Sequence, residues 1–283
     1  MKLCVVGTGR CGTTLLWRML NAHPDLFVFR ETHWLPALWE RFGTALAPAE
    51  AMLDVVARTR FAHGVPVTPL DAEAIRAAPG WAAEMTVRGF ADHVGLAHAR
   101  AENKAHWADK TPDYGYFVGT LQVLWPELRV VHVVRNGMDV ARSMAGHPGY
   151  RTLALHRAQH WPALALDYAP PAEPPPPGDF AAMAELWHDR LVRIEDEAQR
   201  LAPGSLATLR YEDLRSAPRR EMARLAAFAG LAAPSSWLDT VAAQVEPGRG
   251  RRVHPAEDYA RLPERPRRLQ QRLGYPLAAD TPA

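Results

Sequence analysis

Gly7, Gly9, Arg10, Gly12, Thr13 and Thr14 follow a short apolar run, Leu3 to Val6, and lead into the helical pattern Thr14 to Leu20. Backbone N–H groups of a glycine loop at a helix N-terminus face an anion, so the chemistry offered here is phosphate binding. Three grammars fit the segment. Gly7, Gly9 and Gly12 spell G-x-G-x-x-G, with Glu31 after a second apolar run, Leu26 to Phe29, about 20 residues on, as in a dinucleotide site. Gly7, Gly12 and Thr14 fit the spacing of G-x-x-x-x-G-K-[ST], but Thr13 replaces the lysine that reaches the β and γ phosphates. The third grammar moves the cation to Arg10 and uses Thr13 and Thr14 as donors, which suits one 5′-phosphate group and no Mg²⁺.

A second constellation follows the most strand-like run of the chain, Leu128 to Val134. Arg135 stands at its carboxyl end, where ligands of parallel α/β sheets bind, and Ser143 lies eight residues later on the next helix. A guanidinium and a hydroxyl converging there suit a second phosphate. A lone arginine in this position would ordinarily pair with Asp139 or cap a helix; the glycine loop reverses that preference.

The elements that must hold these groups alternate. A strand is expected at Ala105 to Ala108, ending in Asp109-Lys110-Thr111-Pro112, and another at Ser205 to Arg210. Thr32 to Arg100 reads as helical elaboration, with Pro48, Pro69 and Pro79 near helix starts. From His147 to Asp179 the composition changes and culminates in the proline-rich stretch 169–178, which excludes helix and central strand and reads as an extended surface loop inserted between two helices. An SH3-type ligand is the lesser alternative. Asp179 then caps a helix through Leu201. The expected fold is α/β: three layers with a central, mostly parallel sheet flanked by helices, plus helical elaboration, in one domain spanning 1–283.

Bulk properties narrow the partners. Of 283 residues 48% are hydrophobic, enough for a substantial core, and 33 basic against 31 acidic residues give a net charge of +2, which points to neither nucleic acid nor an anionic membrane. Cys4 and Cys11 make no disulfide framework, and no Cys/His spacing suggests a metal. No run approaches the roughly 18 apolar residues of a membrane span. A cytoplasmic location is expected.

Gly9-Arg10-Cys11-Gly12-Thr13-Thr14-Leu15-Leu16 resembles the 5′-phosphosulfate loop, and Val134 to Ser143 the 3′-phosphate motif, of sulfotransferases that use 3′-phosphoadenosine 5′-phosphosulfate (PAPS). Asn21-Ala22-His23-Pro24, Glu31-Thr32 and Asp109-Lys110-Thr111-Pro112 resemble segments of the branch containing tyrosylprotein sulfotransferases, and Leu209 to Leu214 and Leu273-Gly274-Tyr275 resemble wider family signatures. Together and in order they implicate most of the chain in a P-loop-like fold. Cys11 departs from a common serine, and Gly248-Arg249-Gly250-Arg251-Arg252 lacks the aromatic residue of a C-terminal family motif.

The resemblance implies roles. Glu31 would be the base on the acceptor hydroxyl, with His33 second choice, and Lys110, one of three lysines, would neutralise the oxygen bridging phosphate and sulfate. Arg10, Cys11, Gly12, Thr13 and Thr14 would bind the 5′-phosphosulfate, and Arg135, Ser143 and Arg249 the 3′-phosphate, with Tyr211 beside the nucleotide. His132 is expected to be a packed strand residue. Trp34, Trp39 and Trp107 are candidates for an apolar acceptor site. The acceptor would be a small-molecule, carbohydrate or peptide hydroxyl. Competing readings are an NAD(P)-binding oxidoreductase built on Gly7, Gly9, Gly12 and Glu31, which leaves Arg135, Ser143 and Lys110 idle, and a non-catalytic nucleotide-binding module, which gives Glu31 and Lys110 no role.

Overall fold

Alternate residues of the first strand face opposite ways, and both directions are apolar. Leu3 and Val5 point into one core and Cys4 and Val6 into a second, all fully buried. A strand covered on both faces needs no polar alternation, which explains the continuous run in the sequence. The computed structural model describes residues 1–61, 65–68, 71–155, 178–245, 254 and 256–277. The proline-rich stretch 169–177 and Arg249 lie outside them.

Seven strands are found among the described residues: β1 (Leu3–Gly7), β2 (Leu26–Phe29), β3 (Ala47–Pro48), β4 (Glu84–Met85), β5 (His106–Lys110), β6 (Arg129–Val134) and β7 (Leu206–Arg210). Five form a wholly parallel sheet in the order β2-β5-β1-β6-β7. One face carries α1 (Thr13–Asn21), and the other carries α2 (Leu35–Phe42), α3 (Ala49–Arg58), α4 (Ala72–Ala77), α5 (Val87–Ala101) and α6 (Val118–Leu124). The chain continues through α7 (Gly137–Ala145), α8 (Pro148–Leu155), α9 (Phe180–Ala198), α10 (Tyr211–Ser216), α11 (Pro218–Phe228), α12 (Ser235–Ala243), α13 (Ala256–Ala260) and α14 (Glu264–Arg272). Met138 and Met144 of α7, Trp187 and Leu191 of α9 and Leu225 of α11 extend the first core, completing the three layers.

The strand order bears on the competing readings. Numbered along the chain, the five sheet strands run 2-3-1-4-5, whereas the dinucleotide fold runs 3-2-1-4-5-6 and puts the acidic residue on the strand beside β1. Here β5 separates β1 from β2. Glu31 is thus one strand too far away to bind a ribose whose phosphates sit on the β1 loop, and its neighbour is Lys110.

Several expectations shift in detail. The strand expected at Ala105 to Ala108 is β5 and runs on through Asp109 and Lys110, because parallel pairing with β2 (Phe29 opposite Asp109) carries it further. The helical region after Thr32 also contains the β3-β4 pair, too short to leave a period in the sequence. Pro48 does precede a helix, but Pro79 follows the end of α4. Within the compositionally distinct region after His147, residues 148–155 form a helix. Asp179 caps α9 as expected, its carboxylate accepting from Ala182 N at 3.0 Å, although the helix ends at Ala198. Among the described residues no helix is long and apolar enough to cross a membrane.

Candidate active site

The loop between β1 and α1 turns sharply, with positive φ at Gly9 (75°), Arg10 (54°) and Gly12 (101°). Only glycine adopts two of these angles without strain and with the space available. A Cβ on Gly9 would lie 1.5 Å from the Tyr150 hydroxyl oxygen, and one on Gly12 would lie 2.1 Å from the Tyr211 ring. No side chain caps the N-terminus of α1, so its amides remain available to an anion, as the dipole favours. Cys11 is fully buried and its thiol is pushed up by burial, so only its backbone can serve a ligand. Gly12, Thr13 and Thr14 line a cleft of about 1070 Å³ at the carboxyl ends of the strands.

Glu31 and Lys110 follow from the register of β2 and β5. Lys110 Nζ donates to Glu31 Oε1 at 2.5 Å, with Lys110 fully buried and Glu31 28% exposed at the cleft. His33 Nε2 lies 3.5 Å from the other Glu31 oxygen. Burial pushes the Glu31 carboxyl up, but the His33 contact and the Lys110 charge outweigh it and bring it down to about 2. His33 therefore flanks the carboxylate from a buried position with φ 58° and packs edge-on against Phe61.

Behind this pair a buried polar network fixes the two strand ends to each other. Thr111 Oγ1 accepts from Thr32 N at 2.8 Å, and Thr32 Oγ1 meets Asp109 Oδ2 at 2.7 Å and the Tyr114 hydroxyl at 2.5 Å. Burial raises the Asp109 carboxyl to about 6, in spite of hydrogen bonds from Thr111 and Thr32. His132 sits inside β6 as a packed residue, and burial holds its imidazole down at about 4.

Arg135 leaves the end of β6 and does pair with Asp139, Nη2 to Oδ2 at 3.0 Å. That pairing uses part of the guanidinium. Its Nη1 donates to Arg10 O at 3.3 Å, its plane lies 4.4 Å from the Tyr211 ring centroid, and its buried Nε finds no partner among the described residues. Asp139 is held low against the pull of burial by His254 and Arg135. Arg10 Nε donates to Ser143 Oγ at 3.0 Å, so the two phosphate motifs meet. The corner is braced from later in the chain: Glu212 accepts from Asn136 N at 3.1 Å and from the Tyr275 hydroxyl at 2.9 Å, and Gln270 accepts from Gly137 N at 2.9 Å.

Three site residues escaped the sequence reading. Arg190 of α9 is fully buried under the loop, donating to Thr8 O at 2.6 Å and to Asp113, and its guanidinium lies 5.4 Å from the Tyr150 ring. Asp113, which directly follows the Lys110-Thr111-Pro112 segment, lines the cleft, as does Tyr150 of α8. A signal for Arg190 existed. It falls on the apolar stripe Met183, Trp187, Leu191, Ile194, where a charge demands a partner.

The tryptophan expectation fails. Trp34 is buried with its indole N–H on Thr68, and Trp107 donates to Asp92 beside a separate cavity of about 550 Å³ at the opposite end of the strands. Trp39 packs against the second core. The apolar wall near Glu31 comes instead from Phe61, Val65, Val67 and Leu153.

Comparison with known proteins bears on this arrangement. A sequence profile described as the sulfotransferase family matches residues 3–235. The chain belongs to the sulfotransferase family. Among curated proteins it is similar to the nodulation protein NoeE of Sinorhizobium fredii (strain NBRC 101917 / NGR234), 27% identical over 228 residues, which cover 80% of this chain and 49% of that protein. The chain thus spans about half the length of this relative. Among solved structures it shares its fold with the sulfotransferase domain from the curacin biosynthetic pathway (TM-score 0.57, 15% identity, 97% of each chain covered). The sulfotransferase domain of the Synechococcus PCC 7002 olefin synthase is similar too (TM-score 0.55, 16% identity, 97% of this chain and 94% of that one). The family's P-loop-like α/β sheet is therefore the frame on which the residues above are mounted.

Proposed function

We propose that the chain transfers a sulfuryl group from PAPS to a hydroxyl acceptor, with residues 1–283 acting as one domain. The observation that carries this reading is the Glu31–Lys110 pair, 2.5 Å apart, in the same cleft as an uncapped glycine loop. A nucleotide-binding module without catalysis would have no use for a buried ammonium held on a carboxylate.

The residues present fit such a donor. A Cβ at Gly9 or Gly12 would collide with Tyr150 or Tyr211, so the tight glycine turn that aims the loop amides into the cleft is required, and Arg135 Nε, without a partner among the described residues, leaves capacity for a second phosphate. PAPS supplies an activated S–O bond, and the rest is positioning and charge. Gly12, Thr13 and Thr14 offer backbone and hydroxyl donors to the 5′-phosphosulfate, with Arg10 as its cation. Arg135 and Ser143 take the 3′-phosphate, Tyr211 holds the Arg135 guanidinium in plane, and Arg249 is carried as a further 3′-phosphate ligand on its sequence register alone.

Glu31 accepts the acceptor proton as the new S–O bond forms. In the resting arrangement its carboxyl lies at about 2, a weak base. Lys110 resolves this difficulty, because an ammonium drawn toward the leaving phosphate oxygen weakens its hold on Glu31 at the moment that basicity is needed. His33 stays behind as the orienting partner. The acceptor is a small-molecule, carbohydrate or peptide hydroxyl.

Calorimetric titration with 3′,5′-adenosine bisphosphate, Mg·ATP and NADPH tests the donor site. Tight magnesium-independent binding of the bisphosphate is the expected result, and binding of NADPH alone would overturn the reading. A mass-spectrometric screen of hydroxyl acceptors with PAPS then identifies the second substrate class.

A further inference from the structure

Tyr150 stands where no sequence motif points. It is the third residue of α8, and its hydroxyl oxygen rests on the Cα of Gly9, so close that a Cβ there would lie 1.5 Å away. The ring stands 5.4 Å from the Arg190 guanidinium and 5.4 Å, edge-on, from His147, which together hold it in one place.

The hydroxyl shares a cleft with both parts of the proposed chemistry. Gly9 of the phosphate loop, Glu31, Asp113 and Tyr150 all line the same cleft. The phenol feels the charges of Arg190, Asp113 and Glu31. Burial above all pushes its ionisation well above the usual range, so it stays a neutral donor. A half-buried tyrosine hydroxyl normally has a protein partner, but here no hydrogen bond to it is found among the described residues. The residue lines the cleft, where a ligand oxygen can supply that partner.

We infer that Tyr150 is a further catalytic residue, whose hydroxyl donates a hydrogen bond to a non-bridging oxygen of the sulfuryl group. The inference rests on the proposed PAPS reaction. In that step the acceptor oxygen forms a bond to sulfur, its proton passes to Glu31, and the bond from sulfur to the bridging oxygen breaks with its electron pair left on the 5′-phosphate. Tyr150 gives up no proton. It holds the equatorial oxygens as the group passes from donor to acceptor, a task for a neutral, fixed donor beside an already cationic loop.

Tyr150→Phe keeps the ring on Gly9 and Arg190 and removes only the hydroxyl, so the fold should survive, with an unchanged unfolding temperature as the check. Affinities for PAPS and for 3′,5′-adenosine bisphosphate, measured by calorimetry on both proteins, separate the roles because only PAPS carries the sulfuryl group. PAPS should bind about three- to tenfold more weakly to the variant, the range of one neutral hydrogen bond, and the bisphosphate equally well within twofold. Equal weakening of both ligands would make Tyr150 a support of the loop and overturn the inference, as would no change in either. Failure of the wild-type protein to bind either ligand would instead remove the proposed function, and this inference with it.

Discussion

Lys110 meets Glu31 at 2.5 Å because β5 pairs in parallel with β2, Phe29 opposite Asp109, so that the last residue of β5 emerges beside Glu31, two residues beyond β2. The proposed base and the proposed leaving-group cation are thus set by one register. A slip of one residue would turn one of them to the other face of the sheet.

Replacing the base tests the chemistry. Glu31→Gln should lower kcat by about 10² to 10⁴ fold while leaving the Kd of 3′,5′-adenosine bisphosphate within about twofold, since the carboxylate lies on the acceptor side. Full turnover in this variant would assign the proton to another group.

The lysine governs the pH profile. With the Glu31 carboxyl at about 2, the acid limb of kcat/KM should lie below the ordinary carboxylate range in the wild-type protein. Lys110→Met removes one of the two charges that lower it, so the limb should move upward, alongside a loss in kcat from the missing leaving-group cation. A limb that stays in place would mean Lys110 does not tune Glu31.

The nucleotide end separates from the chemistry. Arg135→Ala should weaken 3′,5′-adenosine bisphosphate by about 10- to 100-fold, the range of charge-assisted hydrogen bonds, and adenosine 5′-phosphate far less. Equal losses for the two ligands in a competition titration would contradict a 3′-phosphate role.

Asp109 gives a stability signature of opposite sign to Glu31. Its folded pKa, about 6, is raised above the usual 3.8, so its contribution is fully present below about pH 4 and is lost as pH rises through 6, at most roughly 3 kcal/mol. Glu31, depressed from 4.5 to about 2, contributes above pH 4.5 and loses that contribution as pH falls toward 2. Asp109→Asn should therefore flatten the decline in urea-unfolding free energy between pH 4.5 and 6.5. The same slope in both proteins would show that the carboxyl titrates no differently when folded.

Sequence legibility followed chain distance. Gly9 to Thr14 and Arg135 to Ser143 could be read directly, since each is a strand end, a turn and a helix start within about ten residues, and local physics dictates all three. Glu31 and Lys110 could be nominated but not joined, because their adjacency depends on β5 inserting between β1 and β2, a choice made by core packing. Trp34, Trp39 and Trp107 misled because apolarity predicts burial and is silent on which cavity is near. The apolar stripe around Arg190 announced a buried charge but not its partners, and nothing announced Tyr150, because the chain brings α8 and α9 back under the loop from more than 130 residues away.

Arg190 ties together Thr8 of the phosphate loop, Asp113 beyond the lysine strand and the Tyr150 ring that rests on that loop. One fully buried cation thereby joins the loop proposed to hold the donor to the segment that follows the Lys110 strand. Coupling between the two proposed substrates through this residue would be reciprocal, each altering the affinity of the other by the same factor. The kinetic consequence is that two substrates sharing this cleft would bind cooperatively through the protein, in addition to any contact they make with each other.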